Sequence, residues 1–216
     1  MYEIRHHLTD ALLLSYSAGA LPEAFSLVVA THISLCDECR ARLGSFEAVG
    51  GALLGDAETI AMSDDSLDAT MALIDAAPKD REPVSAPDPD AVFPAPLRSY
   101  VGGDLGAVRW KAVGAGVRQA VLDTSGAEKV RLLSIPGGAA MPDHGHRGLE
   151  LTLVLQGAFR DDDARFARGD VEVANEDLHH TPIAEEGMDC ICLTATDAPL
   201  KFKGLVPRIA QRFIGI

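Results

Sequence analysis

Basic residues are in short supply. The 216 residues hold 19 Lys and Arg against 32 Asp and Glu, a net charge of −13. A chain this acidic lacks the basic face that DNA or RNA requires, so direct nucleic-acid binding is not expected. No run of 18 apolar residues and no positively charged leader occur, so neither a membrane span nor export is expected. Cysteine is scarce as well. The chain has four, two of them spaced as Cys36-x2-Cys39, which suits a metal site in a reducing cytoplasm better than a disulfide scaffold. What is abundant is apolar surface, 47% of residues, enough for one large domain or two small ones.

The charge is unevenly spread. Residues 1–77 carry 3 Lys/Arg against 12 Asp/Glu, a balance of −9, whereas residues 98–216 carry 14 against 16, a balance of −2. The acidic excess of the first part would repel nucleic acid and attract a basic protein. Between the two, residues 78–97 hold 6 of the 12 prolines and read as a semi-rigid extended linker.

Periodicity changes across that linker. Before it, Thr9 or Asp10 caps a helix ending near Gly19, and Pro22 opens a second helix running toward His32. A third helix runs from about Asp37, weakened at Gly50-Gly51. A fourth starts near Ser63 or Asp64, with Leu67, Met71 and Ile74 at i, i+4 and i+7, an apolar stripe on a very acidic helix. That stripe serves either the module's own core or a partner's groove. Beyond the linker the period is two. Residues 107–113, 118–123, 129–135, 149–155, 171–174 and 189–196 read as short strands between Gly, Pro or Asp turns. The expected organisation is therefore an all-α domain over 1–77, a linker over 78–97, and an all-β sandwich or barrel over 98–216.

Two patterns carry metal chemistry. His6-x25-His32-x3-Cys36-x2-Cys39 is a complete Cys2His2 set for a tetrahedral, structural zinc ion. His32, Cys36 and Cys39, at i, i+4 and i+7, share one side of a helix or helix corner, and His6 folds back from the terminus to meet them. Downstream, Gly138-x5-His144-x-His146-x3-Glu150-x6-Gly157 places two imidazoles and a carboxylate along extended chain, with His179 or His180 as a fourth ligand. Three imidazoles and a carboxylate suit zinc or another divalent transition metal. Cys190 and Cys192 share a strand face about 7 Å apart. They are either buried structural thiols or a redox pair beside the second metal.

The first pattern resembles the zinc-binding anti-sigma domain, and the second resembles the first cupin motif. The second cupin motif is matched in part. Gly169 and His180 occupy its Gly and His positions, whereas Asn175, Asp177 and Ala184 replace its Pro, Gly and Asn. That alignment favours His180 over His179. Both modules in this order resemble the ChrR family of anti-sigma factors. The resemblance implies a helical zinc domain joined to a jelly-roll-like cupin barrel. It further implies a cytoplasmic inhibitor that sequesters an extracytoplasmic-function sigma factor, a subunit of RNA polymerase, and releases it under singlet oxygen or organic hydroperoxide stress, with the cupin as sensor and no catalytic residues. A competing reading is an enzyme, a cupin metal-dependent oxygenase or isomerase with an appended regulatory zinc domain.

Overall fold

The structure, a computed structural model, describes residues 3–77, 88, 90–162, 164–199 and 201–202. Four helices come first: α1 (Asp10–Ser17), α2 (Glu23–Ile33), α3 (Asp37–Gly55) and α4 (Ser66–Ala76), with α5 (Ala95–Val101) following. Local chemistry fixes their ends. Thr9 Oγ1 accepts the Leu12 N–H at 3.3 Å to cap α1, and Pro22 stands at the N-cap of α2. Cys36 caps α3, its sulfur accepting the Cys39 N–H at 3.4 Å. The third helix runs unbroken through Gly50 and Gly51, where a weak point was expected, but beyond the half-buried Phe46 it is exposed.

Among the described residues the β part has twelve short strands: β1 (Lys111–Gly114), β2 (Val117–Leu122), β3 (Lys129–Ile135), β4 (His144–Gly145), β5 (Glu150–Gln156), β6 (Ala158–Arg160), β7 (Arg165–Ala167), β8 (Val171–Ala174), β9 (His179–His180), β10 (Ile183–Ala184), β11 (Cys190–Thr196) and β12 (Lys201–Phe202). They form one six-stranded sheet, β1-β2-β3-β11-β5-β8, and two three-stranded sheets, β10-β6-β7 and β12-β4-β9. All the pairings are antiparallel. The sheets are cupin-like and line a chamber of about 650 Å³, and among the described residues they are not hydrogen-bonded into a closed barrel.

The large sheet buries both faces, which is why β5 and β11 read as nearly continuous apolar runs. Period-two alternation divides their residues. Val130, Leu132, Leu151, Leu153, Leu155, Ile191, Leu193 and Ala195 face one way and join Leu13, Phe25, Val28 and Val29 of the helices in a single apolar cluster. Arg131, Leu133, Glu150, Thr152, Cys192, Thr194 and Thr196 face the other way and line the chamber.

Helical and β parts thus share one core. The reason lies in α2, whose buried set (Ala24, Phe25, Leu27, Val28, Val29, Thr31, His32) extends too far around the helix for α1 and α3 alone to cover. The sheet supplies the remaining surface, and each such apolar side chain contributes about 1.5–3 kcal/mol when fully buried. At the N-terminal end of α2, Glu23 accepts hydrogen bonds from the Ser125 hydroxyl and N–H, both at 2.6 Å, and from the Tyr100 hydroxyl at 2.6 Å. The Ser125 hydroxyl first, then Tyr100, hold its carboxyl down at about 2.

The expected linker over 78–97 does not reach residue 97. Residues 78–87 and 89 lie outside the described set, but from Ala91 onward the chain is folded onto the cupin part. Phe93 and Leu97 are fully buried. The Val92 and Phe93 N–H groups donate to Asp104 at 3.0 and 2.8 Å. Arg168 donates to the Val92 carbonyl at 2.9 Å. Pro94 is not a spacer residue here; it stands at the N-cap of α5.

Candidate metal centres

At the first centre, the structure brings together His7, His32, Cys36 and Cys39, whose ligand atoms all lie within 4.8 Å of one another. The two thiols come from the first turn of α3 and its cap, and His32 from the last turn of α2. His7 Nδ1 faces both sulfurs, 3.3 Å from Cys36 and 3.7 Å from Cys39, while its Nε2 lies 3.4 Å from Glu38.

His6, expected as the fourth ligand, stands elsewhere. Its Nε2 donates to the Arg165 carbonyl at 3.1 Å, and its ring packs on Phe166 at 4.3 Å between centroids. Neighbouring residues of an extended segment point to opposite sides, so only one of the two histidines can reach the sulfurs. Backbone bonds decide which. The Arg5 and His6 N–H groups donate to Asp170 Oδ1 at 2.7 and 2.9 Å, and the Val171 N–H donates to the His6 carbonyl at 3.1 Å.

The donor set fits a metal ion. His32 Nδ1 donates to the Gly169 carbonyl at 2.9 Å, which leaves Nε2 as its ligating atom, and that atom is buried with no hydrogen-bond partner among the described residues. Burial lowers the His32 pKa to about 4, so the imidazole is neutral and its lone pair free. Burial likewise pushes the Cys39 thiol up to about 11, so a metal must displace a proton there. A tetrahedral zinc would draw these atoms in to separations of about 3.3–3.8 Å.

The second centre lies on the wall of the chamber, which His144 and His180 line. His144 and His146 flank Gly145 on β4, and His180 is held opposite by the pairing of β9 with β4. The three rings form a cluster whose ligand nitrogens lie within 4.8 Å of one another, all buried. Ring centroids are 4.7 Å apart for His144 and His180 and 5.2 Å for His144 and His146. His144 Nδ1 donates to the Pro142 carbonyl at 2.8 Å, aiming Nε2 at the cluster. Both ring nitrogens of His146 are buried without a hydrogen-bond partner among the described residues, which an ion would remedy. Glu150 lies beside the triad, its Oε2 3.5 Å from His146 Nδ1, and lines the same chamber. His179 is exposed and outside the cluster. Gly157 closes the motif with φ +69°, and a Cβ there would come within 2.9 Å of the Asp189 carbonyl oxygen.

Two carboxylates not expected from sequence support His180. Its Nδ1 lies 3.3 Å from Glu172 and 3.4 Å from Asp161. Burial works against the charged ring, but the two carboxylates outweigh it and raise the His180 pKa. Glu172 is raised by its own burial, in part offset by His180. Such carboxylates fix the ring's orientation and increase its basicity toward a metal.

Cys190 and Cys192 are brought together, sulfurs 3.6 Å apart and both buried. The Cys192 thiol, which lines the chamber, is pushed well above its usual value, first by the hydrogen bond it shares with Cys190 and then by burial. Leu67, Met71 and Ile74 stay out of the module's own core. They are 70%, 49% and 60% exposed on α4, which buries no residue.

A helical module with a Cys2His2 cluster, packed on a cupin with a histidine cluster of its own, defines a cupin protein with two candidate metal centres. Residues 99–199 match the family described as the ChrR cupin-like domain. Over 213 residues, 99% of each chain, this protein is 59% identical to the anti-sigma-E factor ChrR of Cereibacter sphaeroides. Its structure superposes with a TM-score of 0.78 on a chain from the crystal structure of Rhodobacter sphaeroides SigE in complex with the anti-sigma ChrR, at 58% identity over 90% of this chain and all of the other. The chain belongs to the ChrR family of anti-sigma factors.

Proposed function

We propose that this protein sequesters an extracytoplasmic-function sigma factor in the cytoplasm and releases it under oxidative stress. The reading rests on its likeness, along nearly the whole chain, to an anti-sigma factor seen in complex with its sigma factor. The surface of α4 supports it. A helix with Leu67, Met71, Leu73 and Ile74 exposed is a poor solution structure by itself and a good helix-in-groove ligand. Exposed Val49, Leu53 and Leu54 at the end of α3 extend the same apolar supply. The −9 charge of residues 1–77 complements the basic surface with which a sigma factor meets DNA.

In this reading residues 1–77 are the inhibitory part, and the chain from about residue 91 is the sensory cupin. His7, His32, Cys36 and Cys39 hold a structural zinc that fixes α2, α3 and the N-terminal arm together. His144, His146 and His180, with Glu150 beside them, hold zinc or another divalent metal. When bound there, such an ion would supply Lewis acidity within the chamber. Cys190 and Cys192 are oxidisable groups in the same domain. A sigma-dependent reporter exposed to photosensitised singlet oxygen tests the scheme. Induction is expected with the wild-type chain and none with His144→Ala or His146→Ala. Normal induction in both variants would remove the cupin centre from sensing.

A further inference from the structure

One short cupin segment touches the surroundings of both metal centres. The Gly169 carbonyl accepts from His32 Nδ1 at 2.9 Å, which fixes the tautomer and ring direction of a ligand in the helical module. Asp170, buried to 3% exposure, accepts the N–H groups of Arg5 and His6 on Oδ1 and that of Ala167 at 2.8 Å on Oδ2. The Val171 N–H completes the grip on the His6 carbonyl. These bonds set which way the next side chain, His7, can point. Glu172 then turns into the chamber, 3.3 Å from His180 Nδ1. The segment has no slack. Gly169 stands at φ +92°, where a Cβ would come within 2.6 Å of the Ile4 side chain, and Gly169 and Asp170 are further bonded through Val154 of β5 at 2.9 and 3.0 Å.

We propose that residues 169–172 form a common outer shell for the two centres, with Asp170 the positioning residue through which the state of the cupin histidines reaches His7 and His32. A shift of His180 moves Glu172. Because β8 is pinned by its pairing with β5, that movement is carried into the 169–171 grip on the N-terminal arm. The surface thus built is specific for a backbone strand with two consecutive N–H donors, which is what Arg5 and His6 present. It also gives the cupin a physical hold on the module that carries α4, without a ligand crossing between the parts. Coupling of this kind is reciprocal, so whatever factor the cupin metal exerts on the first centre, the first metal exerts on the cupin. The proposal rests on the assignment of His7, His32, Cys36 and Cys39 as ligands, and the test separates the two.

The full-length, metal-free chain is titrated with cobalt. The thiolate-to-cobalt charge-transfer band reports only a site that contains Cys36 and Cys39, since the cupin cluster has no thiolate. Asp170→Asn keeps the side-chain shape but turns an NH2 toward the Ala167 N–H. It is expected to weaken cobalt binding at the thiolate site about tenfold, within the usual range for an outer-shell change. His180→Ala is expected to shift that same affinity at least threefold in the otherwise wild-type chain and to have no further effect in the Asp170→Asn background. Equal affinity in wild type and Asp170→Asn, or a His180→Ala effect that is absent or simply additive, overturns the shared shell. If the Asp170 variant does not fold, Glu172→Gln decides alone, because it leaves every bond to the arm intact. An unchanged thiolate-site affinity in that variant overturns the coupling. No thiolate band in the wild-type chain would instead sink the ligand assignment, and the shared shell with it.

Discussion

In the proposed zinc site, replacing His7 by Ala removes one of four ligands, whereas replacing His6 by Ala removes none. Structural zinc sites of this kind bind with about 10–16 kcal/mol, so an equal share for one ligand is about 2.5–4 kcal/mol. His7→Ala should therefore weaken zinc by two to three decades. His6→Ala loses the bond to the Arg165 carbonyl and the tilted ring contact with Phe166, about 1–2 kcal/mol of stability. The bonds that connect residue 6 to Asp170 and Val171 come from its backbone and survive the change. Both purified variants would be dialysed against a chelator of intermediate affinity and their retained zinc measured by atomic emission, with thermal unfolding run alongside. The expected result is zinc lost from the first centre in His7→Ala and retained in His6→Ala. The opposite outcome would mean that the arm sits in the other register, and the pinning argument built on Asp170 would fail.

Metal binding at the same centre should be steeply pH-dependent. With the Cys39 thiol held near 11, every metal bound at lower pH displaces its proton. Apparent affinity should therefore rise about tenfold per pH unit from this residue alone. Proton release on zinc addition to a weakly buffered sample measures it, and release of no proton would contradict the burial of that thiol. Because the helices and the large sheet share one apolar cluster, Leu193→Ala should destabilise both together by about 2–5 kcal/mol. Far-ultraviolet dichroism and Trp110 fluorescence should then report a single coincident transition, and two separate ones would show independent cores.

Much of this was legible from residue order. Strands β3, β5, β8 and β11 announce themselves by alternation or apolar runs, and the ends of α1 and α2 by Thr9, Gly19 and Pro22. Strands β4, β9, β10 and β12 are two residues each and exist only through pairing with distant chain, which no local pattern encodes. The choice between His6 and His7 was equally closed to spacing. Two adjacent histidines offer the same chemistry one residue apart, and what separates them is a carboxylate 164 positions away. Asp161 sits in no motif, Asp170 and Glu172 fall at unspecified positions of the second cupin motif, and the importance of all three comes from tertiary contact alone. The proline-rich stretch misled in a different way. Its composition describes a spacer, but Phe93 and Leu97 at its end are core residues, and two apolar side chains among prolines were the available warning.

In the proposed function this chain binds an extracytoplasmic-function sigma factor through α4. Calorimetric titration of the purified chain with such a sigma factor from the same organism tests it most directly, comparing wild type with a Leu67→Asp/Met71→Asp variant. Those side chains are exposed in the free protein, so their replacement should leave its melting temperature nearly unchanged. A one-to-one complex that weakens at least tenfold in the variant is the expected result. No complex with any sigma factor of that class, or a complex indifferent to both substitutions, would contradict the claim.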